Sequence, residues 1–265
     1  TFAGLYAAIM TRYLHEHGRE DRRCLESLAQ VACKNHHHAV NNPYAQFRRD
    51  ITVDQVMSST LIADPVRLLH CSPISDGAVA LIVASPDQAR RYTDTPVYVV
   101  ASQEATDDVA LSNRESITGI KATALATRAA TREAGITLDQ IQLAEVHDCF
   151  TIEELLFLED SGFSRRGEAW RNVFESYESF KGSKHIPYDG PTGELIVNSG
   201  GGLKADGHPV GATGVRQVYE CFKQIRSEAD SNQVSVDGGL NLAICHNIGG
   251  TGGICTVHIL ARDLK

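Results

Sequence analysis

The chain has 265 residues, 42% hydrophobic and 22% charged, with a formal net charge of −8. That length builds one large domain or two ordinary ones with a real core, and the composition is that of a soluble globular protein. An acidic chain lacks the basic footprint that phosphate backbones demand, which excludes nucleic acid as a general partner.

No apolar run approaches the length of a membrane span and no signal peptide opens the sequence, so no membrane association is expected. The seven Cys, an odd number without CxxC pairing, read as free thiols of a reducing compartment. The closing "DLK" is not the SKL peroxisomal address, which leaves the cytoplasm as the expected location.

Residues 1–42 read as helical: apolar positions recur through "FAGLYAAIMTRYL", Gly18 makes a stop, and helical spacing resumes in "DRRCLESLAQVACKNHHHAV". "NNPYAQFRR" is a turn and "TVDQVMSS" a short helix. "ISDGAVALIVAS" reads as a turn followed by an apolar strand, Pro86 opens another short helix, and "PVYVVASQEA" is a β-rich strand. A second pattern starts near residue 118. "IKATALATRAATREAG" is a helix stopped by Gly135, "IQLAEV" a strand, and "TIEELLFLEDSG" a helix stopped by Gly162. Residues 163–193, polar and rich in Gly and aromatics, read as an inserted loop. "ELIVNSGGG" is a strand running into glycines, "ATGVRQVYECFKQIRSEA" a long helix, and "LNLAICHNIGGTGGICTVHIL" two buried strands around a glycine turn. Strands alternating with helices imply an α/β layered fold, which places its sites on loops at strand ends.

Three polar clusters fall at such ends: His147-Asp148-Cys149, Gly207-His208-Pro209, and "CHNIGGTGG" at 245–253. Histidine suits proton transfer near neutral pH, and a thiol can act as nucleophile or as acid and base. Each cluster alone is as well explained by a packed, hydrogen-bonded side chain; three at comparable strand ends point to one shared site. No GxxxxGK[ST] is present, and "GHPVGATG" does not match the dinucleotide fingerprint. His36, His37 and His38 invite a metal reading, but adjacent helix positions point about 100° apart. No metal is therefore expected, and the three read as a solvated helix end.

"EVHDCF", "NSGGGLKADGHPVGATG" and "HNIGGTGG" resemble the C-terminal motifs of the thiolase superfamily, in the branch of the sterol carrier protein type thiolases, where HDCF replaces the NEAF tetrad. The similarity extends upstream through "NPYAQFR", "IADPVRLLHCSPISDGA" and "TFAGLYA". The resemblance implies a layered αβαβα sandwich of two similar α/β halves, and acyl exchange between coenzyme A thioesters by Claisen condensation or thiolytic cleavage. This chain would hold part of the N-terminal half and all of the C-terminal half: a helical loop region at 1–60, the end of the first half at 61–115, and the C-terminal domain at 116–265.

The resemblance also implies roles. His208 would activate the nucleophilic Cys and help form an oxyanion hole. His147 would hold a water that binds the thioester oxygen, Cys149 would move the proton on the substrate α-carbon, and Gly249 would offer its backbone N–H to a second oxyanion hole. Such roles fit the need of developing oxyanions for preset donors. Arg12, Arg19, Arg22 and Arg23 lie where the family holds coenzyme A, although a solvated helix face explains them equally well.

One departure is large. The acylatable Cys of thiolases precedes the segment matched by "TFAG", and Cys71 falls in a structural strand-turn stretch. The chain is therefore expected to be the C-terminal portion of a thiolase, inactive in acyl transfer by itself. It would act within a homo-oligomer or beside a complementary N-terminal thiolase chain, with acyl-CoA as substrate and no bound cofactor. The alternatives are a non-catalytic acyl-CoA-binding subunit and a thiolase-fold acyl-CoA lyase. Cys149 is expected to be an exposed, reactive thiol, and Cys245 to point into the sheet as a small apolar residue.

Overall fold

A computed structural model describes residues 1–18, 21–180 and 182–264. Helix α1 (Phe2–His17) begins where the Thr1 hydroxyl accepts from the Gly4 N–H, and it buries Tyr6, Ile9, Met10 and Tyr13, the i, i+3, i+4, i+7 stripe of an amphipathic helix. Helix α2 (Arg22–Ala39) is capped by Asp21 and buried along most of its length. Helix α3 (Val53–Ser58) carries a Thr52/Gln55 capping box and leads into the small antiparallel hairpin of β1 (Leu61–Ala63) and β2 (Val66–Arg67).

After α4 (Pro86–Ala89), the chain builds a six-stranded sheet. Its strands are β3 (Tyr98–Thr106), β4 (Leu143–Glu145), β5 (Pro187–Gly190), β6 (Gly193–Val197), β7 (Leu242–Gly249) and β8 (Ile254–Ala261), in the spatial order β3-β8-β7-β4-β6-β5. Strand β4 runs parallel to both β6 and β7, and the remaining pairs are antiparallel. Helices α5 (Lys121–Ala134), α6 (Thr151–Ser161) and α7 (Ala169–Phe180) precede the short α8 (Gly202–Ala205) and the long α9 (Thr213–Ile225).

Alternation along β7 makes the layers. Ile244 and Ile248 pack into the main core with α1, α5 and α6, whereas Ala243 and Cys245 face Cys221 and Ile225 of α9. Helices thus cover both faces of the sheet, as the layered α/β class requires. The described sheets are this one and the β1–β2 hairpin. Cys245 packs as the small apolar residue expected of it.

Two expectations are corrected. The apolar stretch in "ISDGAVALIVAS" forms no strand: Ile74 and Ile82 are both 99% exposed. A strand needs neighbours to satisfy its backbone, and within residues 74–85 Ile74 alone makes a bridge, to His208. Residues 163–193 are not a loop but α7 and β5. Trp170, Val173 and Ser176 carry the buried stripe of α7, which packs on α2 and β5. Its aromatic spacing was helical all along, obscured by polar neighbours.

The core holds several titratable groups. Burial, with the Glu220 charge beside it, lifts the Glu145 carboxyl to about 8; burial also lifts Glu153 to about 8 and Asp160 to about 7. A carboxyl raised above its unfolded value contributes stability that is complete below that value and is lost as pH rises through the folded one. Burial depresses His36, His70 and His185 to about 4, and their contribution runs oppositely, being lost as pH falls below about 6.5. Above pH 6.5 the carboxyls act unopposed by these histidines. Calorimetry is expected to show Tm falling by roughly 4 °C or more between pH 6.5 and 8.5, with Glu145→Gln flattening the slope.

Candidate functional site

Strand β4 ends at Glu145, and the next five residues cross the sheet edge before α6 begins at Thr151. The crossing is held from beneath. Asn198 follows β6 with a left-handed backbone (φ 56°), its Oδ1 accepting from the Val146 N–H at 2.8 Å. The buried Asp148 carboxylate accepts from the Leu203 N–H at 2.6 Å, the Lys204 N–H at 3.1 Å and the Asn35 amide at 2.8 Å. Asp148 therefore ties the crossing to α8 and α2. Burial, with the Glu154 charge next, lifts Asp148 to about 6.

His147 stands edge-on to His208, with ring centroids 5.0 Å apart and planes at 87°. The His208 Nδ1 lies 2.8 Å from the Thr213 hydroxyl, which itself donates to the Pro209 carbonyl at 3.0 Å. Thr213 must then accept from His208, which assigns the Nδ1–H tautomer and leaves Nε2 a free base. Burial lowers the pKa of His208. Burial, with His208, His246 and Arg216 nearby, drives His147 well below its ordinary value. Both rings are neutral at physiological pH, and the buried Nδ1 of His147 has no hydrogen-bond partner in the protein.

Gly207 is required where it stands. Its φ is 122°, and a Cβ would sit 2.7 Å from the Ser75 hydroxyl, which accepts from the His208 N–H. Gly207→Ala is expected to cost about 1–3 kcal/mol and to displace His208, read as a lowered Tm and a changed His208 chemical shift.

Cys149 is 8% exposed, not the open thiol expected from sequence. Tyr6 of α1 stacks on Phe150 at 4.3 Å, and the Cys149 carbonyl accepts from the Ser72 N–H, which closes the thiol in. Burial, followed by the Glu153 charge, raises its pKa well above the ordinary value. Such a thiol is a proton carrier more than a free nucleophile. Gly249 ends β7. Asn247, two residues before it, lies beside His147, and the carbonyl of Gly250 is 3.4 Å from the Tyr6 hydroxyl. The end of β7 thereby reaches His147, and the turn after it reaches Tyr6. A Cβ on Gly249 would strike the Ile254 side chain at 2.5 Å, so packing also demands this glycine.

The arginines divide. Arg12 pairs with Glu16 at 2.6 Å, Arg22 with Glu26 at 3.0 Å and Arg23 with Asp21 at 2.6 Å, all on the protein surface. Arg19 lies outside the described residues. Arg12 lines a groove of about 520 Å³ with Gly4, Thr11, His15 and Asp64. The three consecutive histidines do not form a solvated end. His36 bonds the Arg49 carbonyl, His37 the Asp50 carboxylate, and His38 the Asn198 carbonyl and the Ile186 N–H. They brace α2 against three separate segments.

Sequence reasoning passed over the support beneath the site. Lys34 and Glu154 form an ion pair at 2.6 Å, both essentially buried, and Glu154 also accepts from Tyr188, Asn35 and Asn198. No local motif marks this set, since its members lie on α2, α6, β5 and the turn after β6.

Residues 103–262 match the thiolase C-terminal domain-like family. The chain belongs to the thiolase superfamily, in its sterol carrier protein 2 branch. It is 49% identical over 265 residues to an acetyl-CoA acetyltransferase of Methanothermobacter thermautotrophicus, covering 99% of this chain and 64% of that protein. It is 34% identical over 239 residues to sterol carrier protein 2 of Oryctolagus cuniculus, covering 88% of this chain and 41% of that one. Among solved structures, the Ltp2-ChsH2(DUF35) aldolase superposes with a TM-score of 0.81 at 26% identity, covering 100% of this chain and 64% of its own. The chain thus spans just under two thirds of the acetyltransferase it matches.

Proposed function

We propose that this chain is the α-carbon-handling portion of a thiolase-type acyltransferase acting on acyl-CoA or 3-ketoacyl-CoA thioesters. The observation that carries this reading is the neutral His147–His208 pair at 5.0 Å beside a buried thiol. A neutral imidazole with a free nitrogen can hold a donor toward a developing enolate oxygen, and a high-pKa thiol can take and return the α-proton. His208 Nε2 is then the base for a thiol supplied by polypeptide outside these 265 residues, within an oligomer or a complementary chain. Gly249 would contribute an oxyanion donor, and the groove beside Arg12 a seat for the coenzyme.

The test is incubation with a 3-ketoacyl-CoA, followed by mass spectrometry and a thiol-release assay. The chain by itself should form no acyl adduct. Adding a polypeptide that carries the remaining third of the acetyltransferase relatives should restore thiol-dependent cleavage. A stable adduct with turnover on any Cys of this chain alone would place the nucleophile here and overturn the split. A second reading, an acyl-CoA lyase, draws on the 0.81 superposition with an aldolase. Carbon–carbon cleavage of a 3-hydroxyacyl-CoA without thiol consumption would favour it.

A further inference from the structure

His208 is held from two sides. Its backbone N–H donates to the Ser75 hydroxyl at 3.1 Å, and its ring meets the Thr213 hydroxyl, at the start of α9, at 2.8 Å. Between His208 and α9 the chain turns tightly, the Pro209 carbonyl accepting from the Ala212 N–H at 2.8 Å and the Thr213 N–H at 3.0 Å. Between α8 and His208 stands Gly207, whose φ of 122° and missing side chain make it a permissive link. One side of the loop is therefore closed by its own backbone, and the other hinges on a glycine. Asp206 and Arg216 bracket that hinge. Asp206 caps the end of α8, its N–H donating to the Gly202 carbonyl and its carbonyl accepting from the Gln46 N–H, both at 3.1 Å. Arg216 lies one turn past Thr213 on α9, and its Nη1 donates to the Asp206 carboxylate, with the two side chains only 13% and 8% exposed. Among the described residues Asp206 is the one carboxylate paired with Arg216, whose buried Nε and Nη2 have no partner. That carboxylate alone places the guanidinium, and a pair withdrawn from water is screened less than a surface one.

We infer that the Asp206–Arg216 ion pair positions His208. It joins α8 to α9, the two elements between which the His208 loop is strung, and it takes up the freedom that Gly207 leaves. With the pair in place, the His208 backbone stays where its Nδ1–H reaches Thr213, and Nε2 stays the free base. Without it the loop can pivot about Gly207, the ring parts from Thr213, and either nitrogen can carry the proton. Asp206 and Arg216 touch no reacting atom in this scheme; they are positioning residues that act through His208. The use of His208 as a base rests on the proposed function, whereas its place in the loop does not.

The experiment has a spectroscopic arm and a kinetic one. With the histidine ring nitrogens isotopically labelled, magnetic resonance reports which nitrogen of His208 is protonated, its signals being identified by their loss in His208→Gln. Wild-type protein should show one fixed Nδ1–H form. Asp206→Asn and Arg216→Met should draw the two nitrogen signals together as the tautomers mix. Arg216→Lys, which keeps a positive charge within reach, should hold them apart. In the protein complemented with its missing portion, the two charge-removing variants should lower kcat roughly ten- to a hundredfold with KM nearly unchanged, and Arg216→Lys should retain most of the rate. Ring signals unchanged in both charge-removing variants would overturn the inference. So would their collapse in all three variants, which marks packing rather than charge. Should a single variant strand a charge and not fold, the double variant Asp206→Asn/Arg216→Met strands none and decides by the same spectrum. Mixed tautomers in variants of a protein that transfers no acyl group even when complemented would count against the thiolase reading and leave the positioning pair standing.

Discussion

Lys34→Met is expected to destabilise the protein by about 3–5 kcal/mol, enough to unfold much of it at 37 °C. Lys34 is 1% exposed, and its ammonium sits 2.6 Å from Glu154 and 2.8 Å from the Val197 carbonyl. Removing it leaves the fully buried Glu154 carboxylate without its counter-charge. The double variant Lys34→Met/Glu154→Gln should recover much of the loss, because neither charge is then left alone. Urea titration of the four species in a double-mutant cycle measures this, and a single variant as stable as wild type would show that the pair is relaxed by solvent. The consequence reaches the site, since Asn198 bonds both Glu154 and the Val146 N–H beside His147.

Under the proposed function, His208→Ala in the protein complemented with its missing portion is expected to lower kcat by about 10²–10⁴-fold with a much smaller change in KM. The free Nε2 follows from the chain His208 Nδ1–H to Thr213 to the Pro209 carbonyl. Under the proposed function, that imidazole would act on the reacting thiol and oxyanion rather than on coenzyme binding. Thr213→Val should reproduce part of the loss by freeing the tautomer, and its kcat against pH should shift while KM holds. Equal losses in kcat and 1/KM would instead mark His208 as a binding group.

The fold was readable wherever one face of an element met the core. The stripe on α1, the stop at Gly135 and the two strands around the glycine turn all announce themselves locally. The stretch at 74–84 carries the pattern of a strand and adopts none, because strand formation depends on partners that no local pattern encodes. Helix α7 was hidden by the polar residues between Trp170, Val173 and Tyr177. At the site, His147, Cys149 and His208 stood out as reactive types at strand ends. Their geometry did not: the pairing of the two rings, the cover that Tyr6 places over Cys149 and the buried Lys34–Glu154 pair all join residues more than 50 positions apart. Arg12, Arg22 and Arg23 drew notice through charge, and each has a carboxylate partner within its own segment.

The central claim is that Cys149 handles a substrate α-proton beside His147 and His208. Proton magnetic resonance of acetyl-CoA or acetoacetyl-CoA incubated with the protein in deuterated water tests it most directly, because α-proton exchange needs no acyl-enzyme. Loss of the α-proton signal is expected with wild-type protein and with Cys71→Ala or Cys245→Ala, and is expected to stop with Cys149→Ala. Exchange undiminished in Cys149→Ala would contradict the account.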